Sequence, residues 1–210
     1  SHLKKQLSGL INIDGADVFK VLRFVSLTGG MPNLAGKDPA GHMLLIRDTK
    51  PEIYAKTHKF LNVLDYLNLR LTGEFVASFD SIVTSWVTDN RNPNDLRYND
   101  GLISILGIDR AKLPDVVACS AVIGNVKADV ANALGLSSGV KVVAGSIDNT
   151  ASAIGSGAVK DFHPHLYIGT SSWITAHVPF KKTDIGSSLA SIPCAVPDKY
   201  LLTALQATAG

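Results

Sequence analysis

The chain has 210 residues, 46% hydrophobic and 18% charged, with a formal net charge of +2. That content is too apolar and too weakly charged for a disordered polypeptide and is enough for a sizeable core. No Lys/Arg run marks a nucleic-acid face, and no apolar run approaches the roughly 18 residues of a membrane span. The two cysteines, Cys119 and Cys194, stand far apart and outside metal-ligand spacing, as expected of structural thiols in a reducing cytoplasm. Ser1-His2 reads as a cloning remnant.

In chain order, residues 12 to 27 mix Val, Phe, Ile and Leu with Asp and Lys and predict a helix leading into a loop. Asp14 and Asp17 would share a solvated face of it. Gly29 to Gly41 read as irregular. Within that stretch Gly30 to Lys37 looks like a P-loop but is not one. Five residues separate its glycines where the loop needs four, and Asp38 stands where Ser or Thr would hold Mg²⁺.

Pro51 suits a first helical turn, and Phe60, Val63, Leu64, Leu67 and Leu71 recur at helical spacing. They predict a core helix ending at Thr72-Gly73. Ser78 to Trp86 takes no clear assignment, and Asn90 to Asp95 is a loop around Asn92-Pro93. Leu102 to Leu106 predicts a short helix stopped at Gly107, and Lys127 to Leu134 a better one stopped at Gly135. The six histidines, His163 and His165 among them, lack metal-site spacing and read as solvated or core side chains.

Two later stretches carry chemistry. Val140, Val142, Val143 and Ala144 form a short buried strand, Gly145 breaks it, and Asn149 to Ile154 make a helical turn. Asp148 thus lies between a strand end and a helix, where open α/β sheets bind ligands. It is either a catalytic carboxylate or merely the N-cap of that helix. The second stretch, Leu166 to Thr175, reads as two strands about a Gly169-Thr170-Ser171-Ser172 turn. Its amides and hydroxyls can hold a phosphate, or can simply close a hairpin.

Together these pieces resemble the FGGY carbohydrate kinases, sugar kinases of the actin-like ATPase superfamily, and among them the xylulose kinase branch. The resemblance is carried in order by Leu27-Thr-Gly-Gly30, Pro51 to Lys56, Asp65 to Glu74, Leu106-Gly-Ile-Asp109 with Leu113-Pro114, and Ile123-Gly124. It continues through Leu134-Gly-Leu136, Val142-Val-Ala-Gly145, Asp148-Asn149 and Gly169-Thr-Ser171. Ser146 and Ile147 stand where xylulose kinases place glycines, and Leu45 where the family has Trp, so the sugar stays open.

The resemblance implies an α/β, actin-like (ribonuclease H-like) fold. Residues 1–158 would be part of the sugar-binding domain and 159–210 the start of the nucleotide-binding domain. It implies ATP-dependent phosphorylation of a sugar or polyol hydroxyl in the cytoplasm. Asp148 would be the general base, Asn149 a second sugar contact, and Gly169, Thr170 and Ser171 the phosphate contacts, with Mg²⁺ neutralising charge. It also leaves a homodimer open. The family's opening Asp-x-Gly-Thr hairpin and closing adenosine segment do not occur in these residues, so the chain reads as an internal piece, inactive by itself. Two rivals remain: an inactive sugar-binding or regulatory module, and a hydrolase using Asp148, which needs a second acid within about 10 Å.

Overall fold

The computed structural model describes residues 1–95, 97–137, 139–169, 172–184, 186–187 and 189–206. After α1 (His2–Leu7), the helix expected from residue 12 gives way to a hairpin of β1 (Asn12–Ile13) and β2 (Ala16–Asp17). The cause is Asp14-Gly15, whose φ angles of 53° and 91° are those of a tight two-residue turn. Only then does α2 (Val18–Thr28) begin. Asp17 is buried rather than solvated, its Oδ1 accepting from the Phe19 and Lys20 amides at 3.0 and 3.2 Å as the cap of α2.

Both α3 (Pro39–Thr49) and α4 (Pro51–Lys56) carry proline in the first turn, where its missing N–H is no loss. α5 (Val63–Thr72) stops at Gly73, φ 91°, as the sequence predicts. Its inward face does not follow the prediction. Val63 and Leu67 are 77% and 54% exposed, whereas Asp65 and Asn68, one helical turn apart, are buried. Hydrogen bonds to later segments decided which stripe turned inward.

The unassigned stretch becomes β3 (Val76–Ser78), α6 (Phe79–Ile82) and a 3-10 turn. α7 (Asp100–Leu106) ends on Gly107, and β4 (Asp115–Val117) pairs in parallel with β3. β5 (Val122–Asn125) and β6 (Lys141–Val143) are antiparallel and flank α8 (Ala128–Leu134). α8 closes as expected: Gly135 has φ 68° and the Leu136 amide reaches the Ala131 carbonyl at 2.8 Å. α9 (Asp148–Gly155) follows. Leu3, Leu7, Phe24, Leu44, Leu102 and Leu106 centre the principal core, joining α1, α2, α3 and α7.

The remaining strands are β7 (Pro164–Ile168), β8 (Ser172–Val178), β9 (Thr183–Asp184), β10 (Leu189–Pro193) and β11 (Tyr200–Gln206). They form one antiparallel sheet in the order β7-β8-β11-β10-β9. Side-chain bonds among the described residues tie it to the preceding residues. His177 Nδ1 meets the Ala158 carbonyl at 2.6 Å, Tyr200 Oη donates to the Arg91 carbonyl at 2.6 Å, Asn94 Nδ2 to Asp198 at 2.8 Å, and Thr183 Oγ1 to the Gly29 carbonyl at 3.3 Å. Cys119 and Cys194 are free thiols, and burial raises them to about 11 and about 12. Among the described residues no helix is long and apolar enough to cross a membrane.

Burial alternates along β8, with Trp173, Thr175 and His177 turned inward and Ile174 outward. Next to Ile174, the edge strand β7 exposes Leu166 (60%) and Ile168 (72%). An edge strand with an apolar outer face is a template for self-pairing. The double variant Leu166→Lys/Ile168→Lys of this segment is therefore expected to be more monomeric than the parent in light scattering across a concentration series. Equal association of the two forms would clear this face of that role.

Candidate functional site: the start of helix α9

Buried Ala144 ends the β6 run, and Gly145, at φ 82°, turns the chain while its amide donates to the Cys119 carbonyl at 2.9 Å. The N-cap of α9 is then Ile147, which has no polar side chain to cap with. Asp148 is the first helical residue, exposed, with its Oδ1 accepting only from the adjacent Asn149 amide, at 2.8 Å, among the described residues. Asn149 is half-buried and its Oδ1 is enclosed without a partner among the described residues.

The capping role falls to a residue that sequence reasoning missed. Asp80, in the first turn of α6 and 0% exposed, accepts from the Ile147 amide through Oδ2 at 2.9 Å and from the Thr150 hydroxyl through Oδ1 at 3.0 Å. A readable signal was Ser78 followed by an acid, a helix-start pattern; Ser78 Oγ indeed accepts from the Ser81 amide at 3.2 Å.

α6 is itself held by α5. Asp65 accepts from the Ser78 amide at 3.2 Å and the Ser81 hydroxyl at 2.7 Å, and Asn62 Nδ2 donates to the Ser81 carbonyl at 2.9 Å. Asn68 Nδ2 reaches the Ala144 carbonyl at 2.8 Å, fixing the strand end that leads into the site. Burial pushes both carboxyls up. For Asp65 the hydrogen bonds from Ser81, Ser78 and Asn62 oppose the rise. Asp80 is pushed from the ordinary 3.8 to about 6 by burial, against the Ile147 and Thr150 bonds and with a further push from the charge of Asp148.

Asp80 is also the second acid that a hydrolase would need, but it has no access to a substrate. It is fully buried and both its oxygens are already engaged. A cavity of about 870 Å³ elsewhere is lined by His2, Lys5, Lys20 and Arg47. Lys20 and Arg47 there are occupied by carbonyls at the ends of α1 and α7.

Of the phosphate-turn candidates, Gly169 ends the described part of β7 and its turn, while Thr170 and Ser171 lie outside the described residues. A Cβ on Gly169 would come within 2.9 Å of the Tyr167 ring. That ring stacks on Trp173, centroids 4.0 Å apart and planes 9° from parallel, so this position has little room for a side chain.

Residues 36–155, which contain the whole Asp65–Asp80–Asp148 assembly, match the N-terminal domain of the FGGY family of carbohydrate kinases. The chain belongs to the FGGY family. It is 29% identical over 137 residues to the xylulose kinase of Lactococcus lactis, an overlap of 65% of this chain and 27% of that protein. To the xylulose kinase of Escherichia coli it is 33% identical over 133 residues, 63% of this chain and 26% of the relative. The solved structure of ligand-bound xylulose kinase from Lactobacillus acidophilus superposes with a TM-score of 0.77 at 27% identity, covering 89% of this chain and 37% of that one. The chain thus spans about a quarter of the length of these two relatives. Its fold is the α/β, actin-like fold of these sugar kinases.

Within this FGGY domain the raised Asp80 makes stability depend on pH with a definite sign. Between pH 3.8 and about 6 the folded chain keeps a proton that the unfolded chain has released. The contribution of Asp80 is fully present below 3.8 and is lost as pH rises through about 6. Urea unfolding of Asp80→Asn across this window is therefore expected to show a smaller fall with rising pH than the parent. Parallel curves for the two proteins would contradict a raised Asp80.

Proposed function

We propose that this chain is part of an ATP-dependent sugar kinase whose acceptor is a hydroxyl of a xylulose-like ketose or polyol. The observation that carries the reading is the exposed carboxylate of Asp148 on a helix start that Asp80 also caps: Oδ1 accepts from the Asn149 amide, and Oδ2 has no hydrogen-bond partner among the described residues. As the sugar oxygen attacks the γ-phosphorus and the bond to the bridging oxygen breaks to release ADP, Asp148 takes the hydroxyl proton and Asn149 holds a neighbouring hydroxyl. A carboxylate suits this transfer, since a loose phosphoryl transition state asks for positioning and late proton removal more than a strong base. Gly169, Thr170 and Ser171 contact the transferred phosphoryl group.

Among the described residues no three His, Cys, Asp or Glu side chains converge on a metal position. Mg²⁺ would sit among the nucleotide's phosphates and water, where it would supply charge neutralisation. The proposed domain boundary lies between residues 158 and 159. The family match ends at 155, and the five-stranded sheet lies wholly after the boundary.

In the full-length kinase, Asp148→Asn is expected to lower kcat by about 10²–10⁴-fold, the usual weight of a general base, with ATP binding retained. More than a tenth of the parental rate would remove Asp148 from this role. Gly169→Val should impair ATP use more than sugar binding, since the branched side chain displaces Tyr167 and crowds the approach of phosphate. Equal damage to both in steady-state kinetics would instead mark a folding defect.

A further inference from the structure

We propose that Asp80 is the positioning residue of this site: through the Ile147 amide and the Thr150 hydroxyl it fixes the first turn of α9, and with it the direction in which Asp148 points. The inference rests on Asp148 being the base. Asp80 itself touches no substrate, because it is 0% exposed.

The argument begins with what α9 lacks. A helix start leaves amide groups without intrahelical partners. Here the N-cap side chain is that of Ile147, and the incoming segment turns at Gly145 with φ 82°. α9 is eight residues long, too short to hold its first turn by propensity. One carboxylate from another helix therefore supplies both the hydrogen-bond acceptors and the negative charge that a helix start favours. Its two contacts lie immediately before Asp148 and two residues after it, so they bracket the base.

Nothing in this arrangement requires Asp80 merely for the core. α6 has its own cap in Ser78 and its own anchor in Asp65. Among the described residues, the titratable groups that interact electrostatically with Asp80 include Asp148 on α9, Cys119 beyond β4 and Cys194 beyond β10. None of them is a cation that would hold the carboxylate in place of the α9 contacts.

The test compares Asp80→Ala, Asp80→Asn, Thr150→Val and Asp148→Asn in the full-length kinase. It uses xylulose and MgATP for kinetics, and hydrogen exchange at residues 147–150 as a readout that needs no acceptor sugar. Asp80→Ala should lower kcat by about 10–100-fold, the cost of a base displaced by an ångström or so. The KM for ATP should stay near the parental value, and exchange at 147–150 should accelerate. Asp80→Asn keeps an oxygen for the Ile147 amide and a polar group for Thr150, so it should restore most of kcat and slow exchange.

Unchanged kcat per folded molecule in Asp80→Ala, or unchanged exchange at 147–150, overturns the proposal. So does an Asp80→Asn variant as impaired as Asp80→Ala. If Asp80→Ala does not fold, Thr150→Val removes one contact alone and should cost about fivefold in kcat, the equivalent of one hydrogen bond. A parental rate there overturns the proposal equally. Parental activity in Asp148→Asn sinks the base assignment and this inference with it. An inactive Asp148→Asn beside a fully active Asp80→Ala sinks the positioning role alone.

Discussion

A helix whose N-cap residue is an isoleucine needs its cap from somewhere else, and the arrangement around α9 follows from that need. The carboxylate of Asp80 meets it across 67 and 70 residues of chain. Because the cap comes from α6, the first residue of α9 is spared the task. Asp148 is exposed, with Oδ1 accepting from the Asn149 amide and Oδ2 without a hydrogen-bond partner among the described residues.

Holding Asp80 there requires a buried polar scaffold. Asp65 and Asp80 are both fully buried, and neither has a cationic partner within ion-pair distance among the described residues. A buried carboxylate is tolerated only when hydrogen bonds replace its water, and each of these two has both oxygens engaged. Burial outweighs those bonds enough to raise both groups. The same scaffold explains why α5 turns Asp65 and Asn68 inward and leaves Val63 and Leu67 in solvent. Bonds to charged acceptors contribute about 1.5–3 kcal/mol each, and removing one partner strands the other, so the polar stripe has a stronger claim on the interior than two aliphatics.

The five-stranded sheet is joined to this region by a different kind of contact. His177, Tyr200, Asp198 and Thr183 each reach a backbone carbonyl or a side chain of the preceding residues. Meanwhile the outer face of β7 and β8 stays apolar and uncovered at Leu166, Ile168 and Ile174. The sheet is thus bonded to the region that carries Asp148, while one of its faces stays exposed.

The sequence by itself determined the punctuation of the chain and the place of the acid. Gly73, Gly107 and Gly135 end their helices because a left-handed residue there suits glycine, Pro51 opens one, and the Val142–Asp148 stretch reads as a strand end before a helix. These are local effects, felt within a few residues. The ordered motifs from Leu27 to Ser171 also carried the family likeness. The Asp14-Gly15 hairpin and the Asp17 cap are local too, set by a two-residue turn and by amides two and three residues on, and were masked by the apolar spacing around them. Only the tertiary structure decided which face of α5 is buried and that Asp80 caps α9. In each case a polar group answered a partner elsewhere: Asp65 at Ser78 and Ser81, Asn68 at Ala144, Asp80 at Ile147 and Thr150. Hydrophobic periodicity has no term for such pairings, because a hydrogen bond between residues 70 apart leaves no mark on the spacing of either segment.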